Sequence, residues 1–272
     1  MANTFFKPFA ESDRTSSRTL LHEVIPITGT LVSGTYAGNN NIKSYSHGMF
    51  KSVYDYPYLS SSANHIFDVS YGHAASSAMS GTSANHKQVA KKINMYNQLA
   101  QVLVGYDTDS SVRLFDKDGN FTNTTTDKHK EAWFLTFSRL LVKDEIKKGS
   151  FQMTMGTALD YHTAHTASYT LTDSGAATSY KINSPAGEYG LLYTSSVADG
   201  AGTYGAPQGL IYYQAGVVVL SGSAVGGPGS ADAGGKHAEM TAAGNSYTTY
   251  ATGTIDKMVD AFTHRIINVQ FN

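Results

Sequence analysis

Two apolar segments, far apart in the chain, restrict the fold more than any other feature. They are Phe137 to Met155, FSRLLVKDEIKKGSFQMTM, and Gly209 to Gly222, GLIYYQAGVVVLSG. Each reads as apolar strand material interrupted by a polar or glycine hinge. Such segments suit a scaffold that holds a shape, and they expose little obvious chemistry.

Composition narrows the classes. At 272 residues with 41% hydrophobic content, the chain is long enough to bury an ordinary core. Lys and Arg total 20 against 21 Asp and Glu, a formal charge of -1, so no global basic field favours nucleic acid or an anionic membrane. Only 15% of residues are charged, and a surface so poor in charge is expected to meet other protein. The chain has no Cys, which excludes disulfides, thiolate metal sites and a Cys nucleophile. The first residues, MANTFFKPFAESDR, lack the basic and apolar regions of a signal peptide, and no apolar run reaches membrane-spanning length. The expectation is a product made in the cytoplasm, with no cofactor.

The local patterns divide the chain into three parts. Residues 1–60 read as an N-terminal arm with short leading strands, broken by Pro26, Gly29 and Gly34. Residues 61–105 read as a helical hairpin. Its first helix runs through Ala63, Ile66, Val69 and Ala74 with Ser62 as cap; its second is capped by Ser83 and carries a stripe of Val89, Ile93, Tyr96, Leu99, Ala100 and Leu103. Gly105 ends that helix, and Lys87, Lys91 and Lys92 fall on its wet face. Residues 106–272 read as a β-rich body. Trp133 to Val142 is compatible with strand or helix and is taken as strand; further strands are expected near 151–155, 168–172, 179–182 and 189–194. Ala224 to Gly235 has almost nothing to pack and reads as a loop that orders on assembly, and a short helix from Thr254 precedes an extended IINVQFN end. The fold class is α+β: a mostly antiparallel, β-rich body with a helical hairpin insertion and a short C-terminal helix, the three parts forming one compact unit.

Three constellations were weighed for chemistry. Asp160, His162 and His165 resemble a ligand cluster, but in a strand the two histidines face opposite ways and no H-E-x-x-H signature is present. Asp116, Asp118, Asn120 and Asp127 imitate a calcium loop, yet Phe121 stands where the sharp turn needs glycine, so a plain Asp-Gly turn is the better reading. No G-x-S-x-G elbow or phosphate loop occurs, and no residue is assigned a catalytic or metal-binding role.

The order of several motifs resembles structural proteins of tailed bacteriophages, those around the contractile tails of T4-like and cyanophage-type phages. The basic turn Ile146, Lys147, Lys148, Gly149, Ser150, Phe151 leads into a strand, and the aromatic strand Ile211, Tyr212, Tyr213 is followed by Gly216, Val217, Val218, Val219, Leu220. The stretches Phe6 to Asp13 and Glu23 to Gly38 are similar to the starts of such proteins, and together the matching parts cover about a third of the chain. The resemblance implies a non-enzymatic virion protein of tail or baseplate type, with other virion proteins and copies of itself as partners. The residues expected at those contacts are Phe5, Phe6 and Phe9, Gly226, Gly229 and Gly234, and Ile266 and Phe271. Two alternatives stand beside it: a receptor- or carbohydrate-binding tail module that takes a glycan, and a metal-dependent hydrolase at Asp160, His162 and His165.

Overall fold

Apolar residues at every position of a strand, rather than at every second one, call for a sheet covered on both faces. The computed structural model, which describes residues 41–81, 86–122, 127–157, 167–194, 207–222, 253–263 and 265–272, contains such a sheet. Its strands are β1 (Ile42–Ser44), β2 (Lys51–Tyr54), β3 (His65–His73), β6 (Glu131–Phe137), β9 (Tyr189–Leu192), β10 (Gly209–Tyr212) and β11 (Val217–Ser221). They lie in the order β1-β2-β3-β6-β11-β10-β9, and every neighbouring pair is antiparallel. The two segments singled out in the sequence meet beside its centre, where the Phe137 N–H donates to Gly216 O at 2.9 Å, and β6 and β11 run on from there with Val218 facing Leu135 and Leu220 facing Trp133.

A smaller sheet, ordered β12-β7-β8, covers one face; its strands are β7 (Gln152–Thr157), β8 (Ala167–Thr172) and β12 (Ile266–Gln270). Helix α5 (Ile255–Thr263) shares that face, with Phe262 stacked on Trp133 at 4.6 Å between ring centroids. Phe67, Val69, Leu135, Ile211, Val218, Met153, Met155 and Leu171 fill this side of the core. On the other face helix α2 (Lys87–Leu103) lays Tyr96, Ala100 and Leu103 against Phe134, Val219 and Tyr212. Each such side chain contributes about 1.5–3 kcal/mol by leaving water, so this double cover dominates the stability of the body.

The architecture is α+β, β-rich and mostly antiparallel, with a short helix near the C-terminal end, as the sequence indicates. The helical hairpin needs correction in its first half. Residues 65–73 form the longest strand, β3, instead of a helix. The apolar residues Ile66, Phe67, Val69 and Tyr71 fit a helical stripe loosely, but they lie in a strand buried along nearly its whole length, where alternation is erased. Helix α2 begins after His86, whose side chain accepts the Gln88 N–H, and ends where the Gly105 N–H donates to Ala100 O. It crosses β3 so closely that a Cβ on Gly72 would lie 2.7 Å from the Tyr96 nitrogen, and only glycine fits.

Lys92 is a second correction. It is fully buried between α2 and the sheet rather than on the wet face, and burial lowers its pKa to about 8. The strand taken for Trp133 to Val142 stops at Phe137, after which Arg139–Val142 turn into the short helix α3. Residues 179–182 make only an isolated bridge at Lys181, following the short helix α4 (Ala176–Ser179). The remaining short elements are α1 (Ala78–Gly81) and the pair β4 (Phe115–Asp116) and β5 (Lys128–His129).

A buried carboxylate ties the two distinctive segments together beyond the Phe137–Gly216 hydrogen bond. Asp173, fully buried after β8, accepts the Gly149 N–H at 2.8 Å, the Phe151 N–H at 2.9 Å and the Tyr213 hydroxyl at 3.0 Å. Gly149 has φ +77, the left-handed conformation that lets the basic turn fold back over this carboxylate. The Ile146 N–H donates to Tyr213 O at 3.0 Å, and Lys148 lies over the Tyr213 and Tyr180 rings while pairing with Glu188. Burial pushes the Asp173 carboxyl above its usual range, against the three donors aimed at it.

Removing this acceptor leaves the Phe151 amide and the Tyr213 phenol without their partner in the interior, and the Gly149 amide to water. Asp173→Ala is expected to lower stability by about 3 kcal/mol or more, and Tyr213→Phe by only about 1 kcal/mol, in urea denaturation. An Asp173→Ala protein as stable as the parent would show that the Ile146–Tyr213 bond and packing hold the joint without this carboxylate.

Candidate functional site

Polar groups concentrate where α2 hands the chain to the β4–β5 pair. After Gly105 the backbone makes an excursion closed by a bridge between Tyr106 and Val112, with the Asp107 N–H donating to Ser111 O and the Arg113 N–H to Gly105 O. It then enters β4 and a turn built from successive side-chain acceptors. Asp116 Oδ1 accepts the Gly119 N–H at 3.0 Å, Asp118 Oδ1 the Asn120 N–H at 3.0 Å, and Asn120 Oδ1 the Thr122 N–H at 2.7 Å. Such acceptors are the ordinary means by which Asp and Asn organise a turn.

The calcium-like spacing does bring acids together: Asp116, Asp118 and Asp127 each present a ligand atom within 4.8 Å of the others. A cation of the protein's own is already there. The Lys128 ammonium pairs with Asp116 Oδ2 and donates to Thr122 O at 2.7 Å. Burial opposes ionisation of Asp116, but hydrogen bonds from Asp118 and Lys128 override it and hold this carboxyl below its usual range. Asp118 moves upward, through burial and its bond to Asp116. The turn is also pinned from outside, where the Asn183 side-chain amide donates to Gly119 O at 2.9 Å and the Tyr189 hydroxyl to Asn183 Oδ1 at 2.8 Å.

Beside this turn lies a cleft of about 270 Å³, walled by Arg113, Lys128 and Lys130, by Ser76 and Thr122, and by the ring of Phe121. Arg113 lies over that ring at 4.9 Å. The strand alternation that points Lys128 and Lys130 toward the cleft sends His129 the other way, into the interior. Among the described residues neither ring nitrogen of His129 has a hydrogen-bond partner, and burial, assisted by Lys117, lowers its pKa to about 3. His73, at the end of β3, donates from Nδ1 to Ala74 O at 3.2 Å; burial outweighs that bond and, with Lys92 nearby, lowers its pKa to about 4. Across from His73 on the paired strand stands Glu131, whose carboxylate accepts the Ser77 hydroxyl at 2.5 Å.

The residues expected at contacts separate into two groups. Ile266 and Phe271 lie in the chain's own core, with Ile266 paired to Met155 and the Phe271 ring 4.9 Å from that of Phe137. Phe5, Phe6, Phe9, Gly226, Gly229 and Gly234 lie outside the described residues, as do Asp160, His162 and His165. Lys148, a surface turn in the sequence, is engaged with Glu188 of its own chain. Sequence reasoning gave Asp173, His73 and His129 no role and placed Lys92 on the wet face; none has a neighbour pattern that separates it from an exposed polar residue, and only tertiary burial singles it out. Comparison of the chain with protein-family models, with curated proteins and with solved structures found no match in any of the three.

The buried histidines make stability fall with acid. Their folded pKa values lie below the ordinary 6.5, so between about pH 6.5 and 4 the unfolded chain takes up protons that the folded one refuses. From pH 7 to pH 5 each is expected to cost about 2 kcal/mol, seen as a lower urea midpoint, and His129→Leu should remove about half of the combined loss. An unchanged pH dependence in that variant would contradict the assignment.

For the acidic turn, millimolar calcium is expected to leave the melting temperature of the parent protein unmoved, because Lys128 neutralises the acids. Lys128→Met should lose about 3 kcal/mol and then regain part of it on calcium addition. Stabilisation of the parent by calcium, reversed by a chelator, would refute this.

Proposed function

We propose that the protein is a non-enzymatic structural component of a tailed-phage virion, of baseplate or tail-peripheral type, that works by assembly with other virion proteins and with copies of itself. The observation that carries this reading is the joint described above. The basic turn 146–151 and the aromatic strand 211–220, which bear the resemblance, are one unit, joined by the Ile146 N–H to Tyr213 O bond and locked by Asp173. A scaffold needs such a joint more than it needs an open catalytic cleft.

The surface supports the same reading. Leu59, Leu140 and Ile182 are 88%, 85% and 74% exposed, on a chain with little charge to keep neighbours apart. Leu140 projects from α3, inside the first of the two segments, where Arg139 donates to Gln214 O and braces the helix against the β10–β11 turn. Isolated exposed leucines are common, but a partner that covers all three would gain about 2 kcal/mol from each. A second reading, a receptor- or carbohydrate-binding module of the same tail, is favoured by the cleft beside Phe121, which joins an aromatic ring to hydroxyl and cationic groups.

Particles purified from a lysed host culture test the proposal. Mass spectrometry is expected to find the chain in fixed stoichiometry with tail proteins, and cryo-electron microscopy to place it in several symmetric copies with Leu140 covered. Absence from washed particles would remove the virion assignment, whereas a position at a distal tip with the cleft open would favour the receptor-binding reading.

A further inference from the structure

A row of polar side chains crosses the large sheet beyond the part that α2 covers. The helix lies over Gly72 and Phe134. On the same face, further along the strands, the register sets Lys43, Ser52, Asp68 and Thr136 side by side on β1, β2, β3 and β6. Neighbouring strands at the usual spacing make this row about 14 Å across.

The groups in the row are held in place and are not used up. The Ser52 hydroxyl donates to Asp68 Oδ1 at 2.5 Å, His65 Nε2 donates to the same oxygen at 2.8 Å, and the Tyr45 and Ser52 hydroxyls meet at 3.1 Å. Both bonds to Asp68 fall on one oxygen, so among the described residues Oδ2 takes none. The hydroxyls of Thr136 and of the nearby Tyr58 take none either. A third of the Asp68 side chain is exposed, and Thr136 and Tyr58 are half-buried.

Aromatic rings flank the row along the strand direction. Toward α2, the rings of Tyr45, His47 and Phe50 pack with centroids between 4.8 and 5.2 Å apart. On the other side Tyr54 packs against Tyr58 at 6.3 Å and against His65 at 5.5 Å, so His65 belongs to this group and to the Asp68 network at once. Of the four residues in the row Lys43 and Asp68 carry full charges, of opposite sign, and net charge therefore favours neither an anion nor a cation. A fixed acceptor beside free hydroxyls, framed by rings, suits a neutral sugar, whose hydroxyls both donate and accept and whose C–H bonds lie against aromatic faces.

We propose that this strip binds a neutral saccharide, with Asp68 Oδ2 accepting from one sugar hydroxyl, Thr136 bonding to another, and the Tyr54–Tyr58 pair packing against the sugar's C–H face. The strip shares no residue with the cleft beside Phe121. It is independent of the virion assignment, and either stands if the other falls.

Nuclear magnetic resonance titration of the isotopically labelled protein tests the site, with glucose, galactose, N-acetylglucosamine, maltotriose and chitotriose as probes and open-chain sorbitol as control. At least one saccharide is expected to give saturable amide shifts centred on Ser52, Asp68 and Thr136, and sorbitol none. Asp68→Asn keeps an acceptor for Ser52 and His65 but places a donor where Oδ2 stood, and should weaken that binding by about tenfold or more. Tyr58→Ala should weaken it too, and supplies the comparison if Asp68→Asn does not fold. Tyr106→Ala, which removes an exposed ring after the end of α2, should leave it unchanged. Binding of none of the saccharides, shifts centred elsewhere, an equal response to sorbitol, or equal weakening by Tyr106→Ala overturns the proposal.

Discussion

The carboxylate of Asp173 sits where three independent pieces of backbone must agree. It holds the amides of Gly149 and Phe151, so the basic turn has one shape, and it holds the hydroxyl of Tyr213, so that turn has one position on the large sheet. Taking it out of water is costly, and the three donors offset that cost only when all are in place. The small sheet starts from this point: Phe151 leads directly into β7, and Asp173 directly follows β8. The geometry of the joint therefore sets how one sheet lies over the other.

Burial on both faces of the large sheet then governs where charge is tolerated. Lys92, His73 and His129 all lie in the layer between the sheet and the α2 side, and burial moves each toward its neutral form. The acidic turn follows the opposite logic, keeping its charge by pairing Asp116 with Lys128 at the edge of the same layer. The two histidines are uncharged inside the layer at neutral pH, Lys92 is only brought closer to losing its proton, and the acids at the rim keep their charge by pairing.

Much of the β body could be read from residue type alone. The runs at 209–212 and 217–221 are so rich in β-branched and aromatic residues that strand is the natural assignment, whereas Trp133 to Val142 fits strand or helix because it holds both, the end of β6 and α3. Helix α2 was legible because one of its sides faces solvent and leaves a period of 3.6. Strand β3 was not, because its two faces are both covered and its apolar residues lose the alternation that marks a strand. The cleft was equally hidden. Arg113, Phe121 and Lys130 have no shared spacing in the sequence, and they meet only because the excursion after α2 and the β4–β5 turn fold over each other.

Strand β12 pairs with β7 across a large sequence separation, with the Gln270 side chain bonded to that of Gln152, 118 residues away. Until β12 and the neighbouring helix α5 are made, Trp133 and the apolar side chains beside it have no cover. Closing so distant a contact is entropically slow, so a growing chain would pass through a stage in which a finished large sheet shows one bare apolar face. Such an intermediate is prone to stick to its own kind, and the yield of folded protein should depend on how quickly the segment from 255 onward reaches that face.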